Sequence, residues 1–278
     1  MTESSPAGQA ASANAWLGYL QKRPEVIGWF YAPDPLLFAT ILGRQFESGV
    51  TGDILEIGTY AGKSAILLGF GLGDGETLHV SDLFAFPRLG DDPELGRALF
   101  VENYTRFHAQ VPDIIVGPSS ELDFRAQTFK FVHVDGSHLF NDVVGDIEIA
   151  CRLCRSGSVI VMDDHSNPSY PGVAAATWGA VAGGQMIPFC ASSNKLYCAV
   201  DPDTARDMSN AVAWALEGTH EVGVDREEIA GHEVLVLEMR TLSGRSALIR
   251  DLTPPVVVRL AARATRRRRP PSGASRHT

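Results

Sequence analysis

From residue 53 onward, short apolar runs alternate with stretches long enough to form a helix. Five runs follow one another: DILEI (53–57), TLHVS (77–81), DIIV (113–116), KFVHV (130–134) and SVIVM (158–162). Continuous apolar runs of this length are typical of strands that are buried on both faces. Their alternation with helices predicts an α/β, doubly wound fold, with a parallel sheet between two layers of helices.

Two further apolar runs differ from these five. MIPFC (186–190) and KLYCAV (195–200) are joined by only four residues, 191–194. Because this connection is too short for a crossover helix, the pair predicts a hairpin in which one edge strand runs antiparallel. We therefore expect a mostly parallel sheet of seven strands.

The flanking segments predict additions to this core. Residues 1–14 are small and polar and are expected to form a disordered leader. Residues 15–50 carry apolar side chains at helical spacing, interrupted at the turn 32–35, and predict a helical cap. After the core, 51–200, an elaboration at 201–255 contains a helix (205–216) and a strand-like run (234–239). Residues 256–278 are basic and predict a largely disordered tail.

Charge is unevenly distributed along the chain. The formal net charge is −9, but seven of the 24 basic residues lie in 259–278, where there is no acid. The first 258 residues thus carry 17 basic against 33 acidic residues. An acidic body repels phosphate backbones, which argues against a nucleic-acid partner. For the tail, the pattern VVVRLAARATRRRR indicates weak contact with an anionic membrane surface, or simply a solvated segment.

The composition is that of an ordinary globular protein, with 45% hydrophobic and 21% charged residues. No apolar run reaches the roughly 18 residues needed to span a bilayer, and the N-terminus lacks the features of a secretory signal. The four scattered cysteines do not suggest a disulfide framework, and Cys151 and Cys154 are expected to be ordinary core residues. We therefore expect a cytoplasmic protein, and a homo-oligomer on general grounds.

A glycine-containing turn, EIGTYAGKS (56–64), follows the first strand and opens a helix. Glycines at this position let the backbone approach a nucleotide-like ligand closely. A P-loop would need one more residue between Gly58 and Gly62, and the GxGxxG pattern of dinucleotide folds is not met. A turn that merely packs is the remaining structural alternative.

The pattern ExGxxxG in this turn is similar to the first motif of class I methyltransferases, which use S-adenosylmethionine. The resemblance implies that the turn lies under the methionine and ribose groups. It also implies that Asp82, which ends the second strand 20 residues after Gly62, binds the ribose hydroxyls. Ser119 would flank the adenine. The cofactor-binding residues expected on this basis are Glu56, Gly58, Thr59, Gly62, Ser64, Asp82, Ser119 and Asp135.

Acidic residues follow the fourth and fifth runs, with Asp135 after KFVHV and Asp163 and Asp164 after SVIVM. The carboxyl ends of adjacent parallel strands meet at one edge of a sheet, so these carboxylates should lie close together. Like charges repel, so we expect a cationic group among them. A divalent ion with oxygen ligands fits, and Mg²⁺ is the default. Alternatively, one acid caps the next helix while the others are solvated.

The stretch FVHVDGSHLF…VIVMDDHSNPSYPGV resembles the centre of a bacterial O-methyltransferase family that includes the macrocin O-methyltransferases, and more distantly the catechol type. The resemblance implies that Asp135, Asp163 and Asp164 hold Mg²⁺ or another divalent cation, and that His138 is the general base. For His133 a core role is expected. The chain departs from the family at Ser137, where an acid is common, and in its glycine motif.

These observations together predict an S-adenosylmethionine-dependent O-methyltransferase that acts on a sugar or another small-molecule hydroxyl. The loop 167–172 is expected to cover the acceptor or to be a plain connection. Two other classes stay open: a P-loop-like ATPase and a non-catalytic scaffold with a cofactor-binding fold.

Overall fold

A computed structural model describes residue 16 and residues 18–240 of the 278-residue chain. Within this part, nine strands form one sheet. The predicted leader at 1–14 and the arginine-rich tail at 256–278 lie outside the described residues. The predicted boundaries between cap, core and elaboration stay predictions.

Five parallel strands form the first part of the sheet, as the alternating pattern predicted. They are β1 (Asp53–Ile57), β2 (Leu78–Asp82), β3 (Asp113–Val116), β4 (Phe129–Val134) and β5 (Cys154–Met162). Strand order reverses between β1 and β4, because β2 and β3 lie on one side of β1 and β4 and β5 on the other. A ligand crevice is expected where the order reverses, outside the carboxyl ends of the strands.

The second part of the sheet differs from the expectation in two ways. The predicted hairpin is present as β6 (Ile187–Ala191) and β7 (Leu196–Ala199), but β7 lies between β5 and β6 and is antiparallel to both. The sheet continues beyond β6 through β9 (His232–Met239) and β8 (Val222–Ile229). The antiparallel hairpin strand is therefore internal, and the sheet has nine strands rather than seven. β8 was not predicted because half of its run, VGVDREEI, is charged and most of it is exposed.

Helices cover both faces of the sheet. On one face they pack around Phe38, Leu67, Phe100 and Val212. On the other they pack around Val143 and Val173. The helices are α1 (Asp34–Glu47), α2 (Ala65–Gly69), α3 (Pro93–Thr105), α4 (Phe140–Leu153), α5 (Pro171–Ala182) and α6 (Pro202–Leu216), and residues 18–22 are also helical.

Two smaller findings complete the fold. Cys151 lies on α4 and Cys154 begins β5, and both have free thiols. Burial raises the pKa of the Cys151 thiol to about 11, which disfavours the reactive thiolate. Over the range that the structure describes, no helix has both the length and the apolar character to cross a membrane.

Candidate active site

A cavity of about 910 Å³ opens where the carboxyl ends of β1, β2, β4 and β5 meet. Of the eleven site residues predicted from the sequence, all but Glu56 and Gly62 line this cavity. The lining members are Gly58, Thr59, Ser64, Asp82, Ser119, Asp135, His138, Asp163 and Asp164.

The glycine turn is shaped by close packing at both glycines. Gly58 has φ +80°, and a Cβ there would lie 1.9 Å from the carbonyl oxygen of Asp135. Only glycine therefore allows the turn after β1 to approach the end of β4 this closely. Gly62 has φ +87°, and a Cβ there would lie 2.9 Å from the Phe100 ring. Gly62 thus packs against α3 instead of facing the cavity.

Asp82 holds the glycine turn in place. Its Oδ2 accepts hydrogen bonds from the backbone N–H groups of Thr59 at 2.7 Å and Tyr60 at 2.8 Å, and its Oδ1 accepts one from Phe84 at 2.6 Å. Burial raises the pKa of Asp82, and these hydrogen bonds oppose that effect. A carboxylate has about four acceptor positions, so Asp82 can still accept a hydrogen bond from a ligand in the cavity.

Ser119 contacts an acid that the sequence interpretation missed. Its hydroxyl donates a hydrogen bond to Asp146 on α4, which is buried and lines the cavity. Burial raises the pKa of this carboxyl group. Asp146 follows Val143 by three residues and precedes Ala150 by four, so it lies on the apolar face of its helix. An acid at such a position is a signal that could have identified it.

The acidic residues meet because of the register between β4 and β5. Val134 pairs with Met162, so Asp135 and Asp163 each lie one residue beyond a paired position. The N–H of Asp163 donates to the carbonyl of Val134 at 2.9 Å, which fixes the two strand ends. The neighbourhood expected from strand topology is therefore present.

Asp164 and His138 face each other across this strand edge. Asp164 has left-handed backbone geometry, with φ +55°. Its Oδ2 lies 3.3 Å from Nε2 of His138, and its Oδ1 accepts a hydrogen bond from the Asn167 side chain at 3.0 Å. The imidazole ring stacks on Tyr170, with 3.8 Å between ring centroids and 6° between planes. His138 is thus held in one orientation at the cavity wall.

A buried lysine, which the sequence interpretation also missed, lies beneath the acids. The Nζ atom of Lys195 is 2.6 Å from Oδ2 of Asp163, and Lys195 is only 2% exposed. Lys195 directly precedes β7, in which Leu196 pairs with Met162. The antiparallel register therefore places Lys195 beside Asp163. The cationic group expected among the carboxylates is, at Asp163, a protein side chain.

Asp163 and Asp135 differ in protonation, because Lys195 lies next to Asp163. Burial alone would raise the pKa of Asp163, but the Lys195 charge and the hydrogen bonds from Asp135 and Lys195 together outweigh burial and lower that pKa to about 2. Burial and the charge of Asp163 raise the pKa of Asp135 well above its usual range. In the protein without a bound cation, Asp163 is therefore the ionised partner of Lys195, while Asp135 favours the protonated form.

Glu56 lies below the cavity, not on its wall. It is fully buried, and its Oε1 is 2.7 Å from Nδ1 of His133. The other ring nitrogen of His133 is 2.9 Å from the Lys195 ammonium group, which can only donate. Nε2 must therefore accept, so we assign neutral His133 with its proton on Nδ1, donating to Glu56. Burial and Lys195 lower the pKa of His133, which agrees with this assignment.

Among the residues that the structure describes, two groups of side chains have ligand atoms within 4.8 Å of one another, close enough to hold a metal ion. The first is Asp135, His138 and Asp164, all of which line the cavity. Two carboxylates and an imidazole fit a divalent cation such as Mg²⁺ or Mn²⁺. In the second group, His133, Asp135 and Asp163, the first and last members are already bonded to Lys195. The first group is therefore the better candidate for a metal site, because its ligand atoms are not bonded to Lys195.

One family model matches part of the chain. Residues 55–165, which contain most of β1 and all of β2–β5, match a family model described as a methyltransferase domain. The match covers 111 of the 278 residues, so less than half of the chain is similar to this family. Together with the sheet order, it confirms the predicted Rossmann-like methyltransferase fold.

Several solved structures are similar to this chain at low identity. The O-methyltransferase NovP has 15% identity and a TM-score of 0.47, with 60% of this chain and 80% of NovP covered. The methyltransferase PaMTH1 from Podospora anserina has 15% identity and a TM-score of 0.46, with 68% and 88% covered. CalS11, a TDP-rhamnose 3'-O-methyltransferase, has 13% identity and a TM-score of 0.43, with 73% of this chain and 98% of CalS11 covered. No curated protein matches the chain in sequence.

Proposed function

We propose that this protein transfers a methyl group from S-adenosylmethionine to a hydroxyl oxygen of a sugar or another small molecule. The observation that carries the proposal is the composition of the one cavity. One wall is the glycine turn with Asp82, and the other holds Asp135, Asp164 and His138. The methyltransferase-domain match covers all of these positions.

The first wall is the proposed donor site. The close approach of Gly58 to β4 leaves the turn backbone at the cavity surface, where Thr59 and Ser64 offer polar atoms. Asp82 would accept from the ribose hydroxyls, and Ser119 lies where the adenine would bind. The facing wall carries three carboxyl groups, Asp135, Asp163 and Asp164, against the ammonium group of Lys195. The cavity next to that wall therefore favours positively charged groups such as a sulfonium.

The second wall is the proposed acceptor site. Asp135 and Asp164, with His138 beside them, would hold a divalent cation, which when bound lowers the pKa of a hydroxyl group that it contacts. His138 lies on the cavity wall and is oriented by Tyr170 and Asp164, so its imidazole can remove the hydroxyl proton as the C–O bond forms. Donor and acceptor held in one cavity react with the advantage of fixed orientation.

The cavity mouth favours an acceptor with an apolar face. Trp29 is 65% exposed and lines the cavity, with its ring centroid 5.5 Å from that of Tyr60. Tyr31 is also exposed and lines the cavity. Aromatic side chains at the mouth can stack on the apolar face of a sugar or an attached ring. The loop that contains Asn167 and Tyr170 lines the same cavity, as expected for a cover over the acceptor.

The structure does not favour the ATPase alternative. Lys63 would be the phosphate-binding lysine of a P-loop, but its ammonium group donates to the carbonyl of Gly28 at 2.9 Å. The helix after the turn, α2, has only five residues. The scaffold alternative provides no reason for polar groups to converge on one cavity.

Calorimetry with the full chain tests the proposal. We expect S-adenosylhomocysteine, the product of the donor, to bind, and ATP to show no binding. Production of S-adenosylhomocysteine from S-adenosylmethionine with a panel of glycosides and free sugars then identifies the acceptor class. Binding of ATP without S-adenosylhomocysteine would overturn the assignment. The expectations of a homo-oligomer, a cytoplasmic location, the absence of a nucleic-acid partner and a tail that contacts membranes stay predictions.

A further inference from the structure

Both carboxylate oxygens of Asp163 already have donors within the acidic cluster. Oδ2 is 2.6 Å from the Lys195 ammonium group, and Oδ1 accepts the backbone N–H of Asp164 at 2.9 Å. Asp164, in contrast, directs Oδ2 at His138 on the cavity wall. The carboxylate of Asp163 is therefore bonded within the protein, whereas that of Asp164 faces the cavity.

The ammonium group of Lys195 is fixed by polar and aromatic neighbours. It contacts Asp163 and also the imidazole Nε2 of His133 at 2.9 Å. The faces of Phe30 and Phe38 lie 5.9 and 6.0 Å from its Nζ atom, within the range of cation–π attraction. Burial opposes the charge, but the nearby carboxylates, Asp163 first, outweigh it and raise the pKa of Lys195. The ammonium group is thus a permanent part of the site.

We propose that Lys195 is the resident cation of the acidic cluster and reserves Asp163 for itself. Asp163 is then a positioning residue that orients the Asp164 backbone, and it does not ligate the metal. Asp135 and Asp164 are left as the cation-binding carboxylates, with His138 beside them. This inference rests on the proposed function for the presence of a divalent cation. It departs from the resemblance, which implies that all three aspartates are ligands.

Charge balance supports this division. With Asp163 neutralised by Lys195, the two carboxylates of Asp135 and Asp164 match one divalent ion. A buried ammonium group next to the site repels a second cation unless its own counter-ion stays in place. Loss of the Asp163 charge alone should therefore weaken metal binding indirectly, and simultaneous loss of the Lys195 charge should restore it.

Mn²⁺ titration of the full chain, followed by electron paramagnetic resonance, tests this without measuring activity. The forms compared are the wild type, Asp163→Asn, Lys195→Met, the double variant and Asp164→Asn. We expect Asp163→Asn to weaken Mn²⁺ binding about tenfold or more, because the Lys195 charge is uncompensated. The double variant should bind within about threefold of the wild type, a difference of less than 1 kcal/mol. Lys195→Met should bind at least as tightly as the wild type, and Asp164→Asn should lose binding.

A direct ligand role for Asp163 makes the opposite prediction. If the double variant binds Mn²⁺ as weakly as Asp163→Asn, or if Lys195→Met loses binding, the inference is overturned. Replacing a buried ion pair by neutral groups of similar shape is often tolerated, so the double variant should fold, as thermal melting will show. If Asp163→Asn does not fold, the double variant still tests the inference. Mn²⁺ binding close to that of the wild type would support it, and a loss of binding like that of Asp164→Asn would overturn it.

Binding of S-adenosylhomocysteine to the same samples separates the two proposals. Absence of Mn²⁺ binding in all five forms would overturn the inference about Lys195. The donor site would then be judged by S-adenosylhomocysteine alone. Mn²⁺ binding in Lys195→Met but not in the wild type would overturn the inference, because Asp135 and Asp164 would then fail to bind the cation while Lys195 stays paired with Asp163.

Discussion

The carboxylate of Glu56 and the imidazole of His133 are hydrogen-bonded beneath the cavity floor, with 2.7 Å between Oε1 and Nδ1. The pair exists because Glu56 on β1 lies opposite His133 on β4 in the parallel register. The first residue of the ExGxxxG motif therefore acts on the site through His133 and Lys195. Because Glu56 does not line the cavity, we expect its role to be structural support rather than contact with the donor.

Glu56→Gln should separate stability from donor binding. We expect the free energy of unfolding to fall by about 1–3 kcal/mol, because a buried hydrogen bond to a charged group is weakened. Affinity for S-adenosylhomocysteine should stay within about threefold of the wild type, a difference of less than 1 kcal/mol. Urea unfolding and calorimetry provide the two measurements. A large loss of affinity without a loss of stability would place Glu56 at the donor instead.

Gly58→Ala should damage the site directly, since the added methyl group would lie 1.9 Å from the Asp135 carbonyl oxygen. We expect a loss of about 3 kcal/mol or more in unfolding free energy, from overpacking and from positive φ. Binding of S-adenosylhomocysteine should be lost as well. Gly179→Ala is the matched control, because a Cβ at this helical position meets no neighbour within 4 Å. It should be neutral or stabilising by up to about 1 kcal/mol.

His138→Ala tests the proposed general base. We expect kcat to fall by about two orders of magnitude or more, which is the usual contribution of proton transfer by a positioned side chain. Affinity for S-adenosylhomocysteine should be nearly unchanged, because His138 lies on the opposite wall from the glycine turn. His220→Ala, at an exposed position that does not line the cavity, serves as the control. An unchanged kcat in His138→Ala would rule out the base assignment.

Trp29→Ala tests the cavity mouth. If the exposed ring stacks on the acceptor, its removal should raise KM for the acceptor about two- to tenfold, in line with the roughly 0.5–1.5 kcal/mol that aromatic contacts add. The kcat value should change little, because Trp29 is not placed at the reacting atoms. Phe46→Ala removes a similarly exposed ring that does not line the cavity, and it should leave KM unchanged.

Asp34, at the start of α1, should make stability depend on pH. It is buried, and its Oδ1 accepts a hydrogen bond from the Tyr197 hydroxyl at 2.7 Å. Burial, partly offset by Lys195, raises its pKa to about 6. Because the folded pKa lies above the unfolded one, the stabilising contribution is complete below about pH 4 and is lost as pH rises through about 6.

Asp34→Asn removes this titration. Unfolding free energies measured in urea between pH 4 and pH 7 should fall with rising pH more steeply in the wild type than in the variant. Between pH 4 and pH 7, the unfolding free energy of the wild type should fall by about 1–3 kcal/mol more than that of the variant. Parallel curves would show that Asp34 is ionised in the folded protein throughout the range. The Asp163 carboxyl group is present in both proteins, so its contribution cancels when the wild type and the variant are compared.

The sequence by itself determined the features that depend on local pattern. Runs of apolar residues located β1–β5, and the rule that parallel strands end at one edge placed Asp82, Asp135, Asp163 and Asp164 around a single cavity. The glycine turn was identified in the same way. These predictions needed only the direction of each strand and the spacing of residues along the chain.

Only the tertiary structure decided which partners these groups have. Lys195 reaches Asp163 because β7 lies between β5 and β6, and strand order is a non-local property that neither spacing nor composition reveals. Glu56 and Gly62 belong to the motif yet face His133 and Phe100, since a motif specifies a turn and not the surroundings of each side chain. The charge on a buried carboxylate depends on the cations beside it, and those are brought together only by folding.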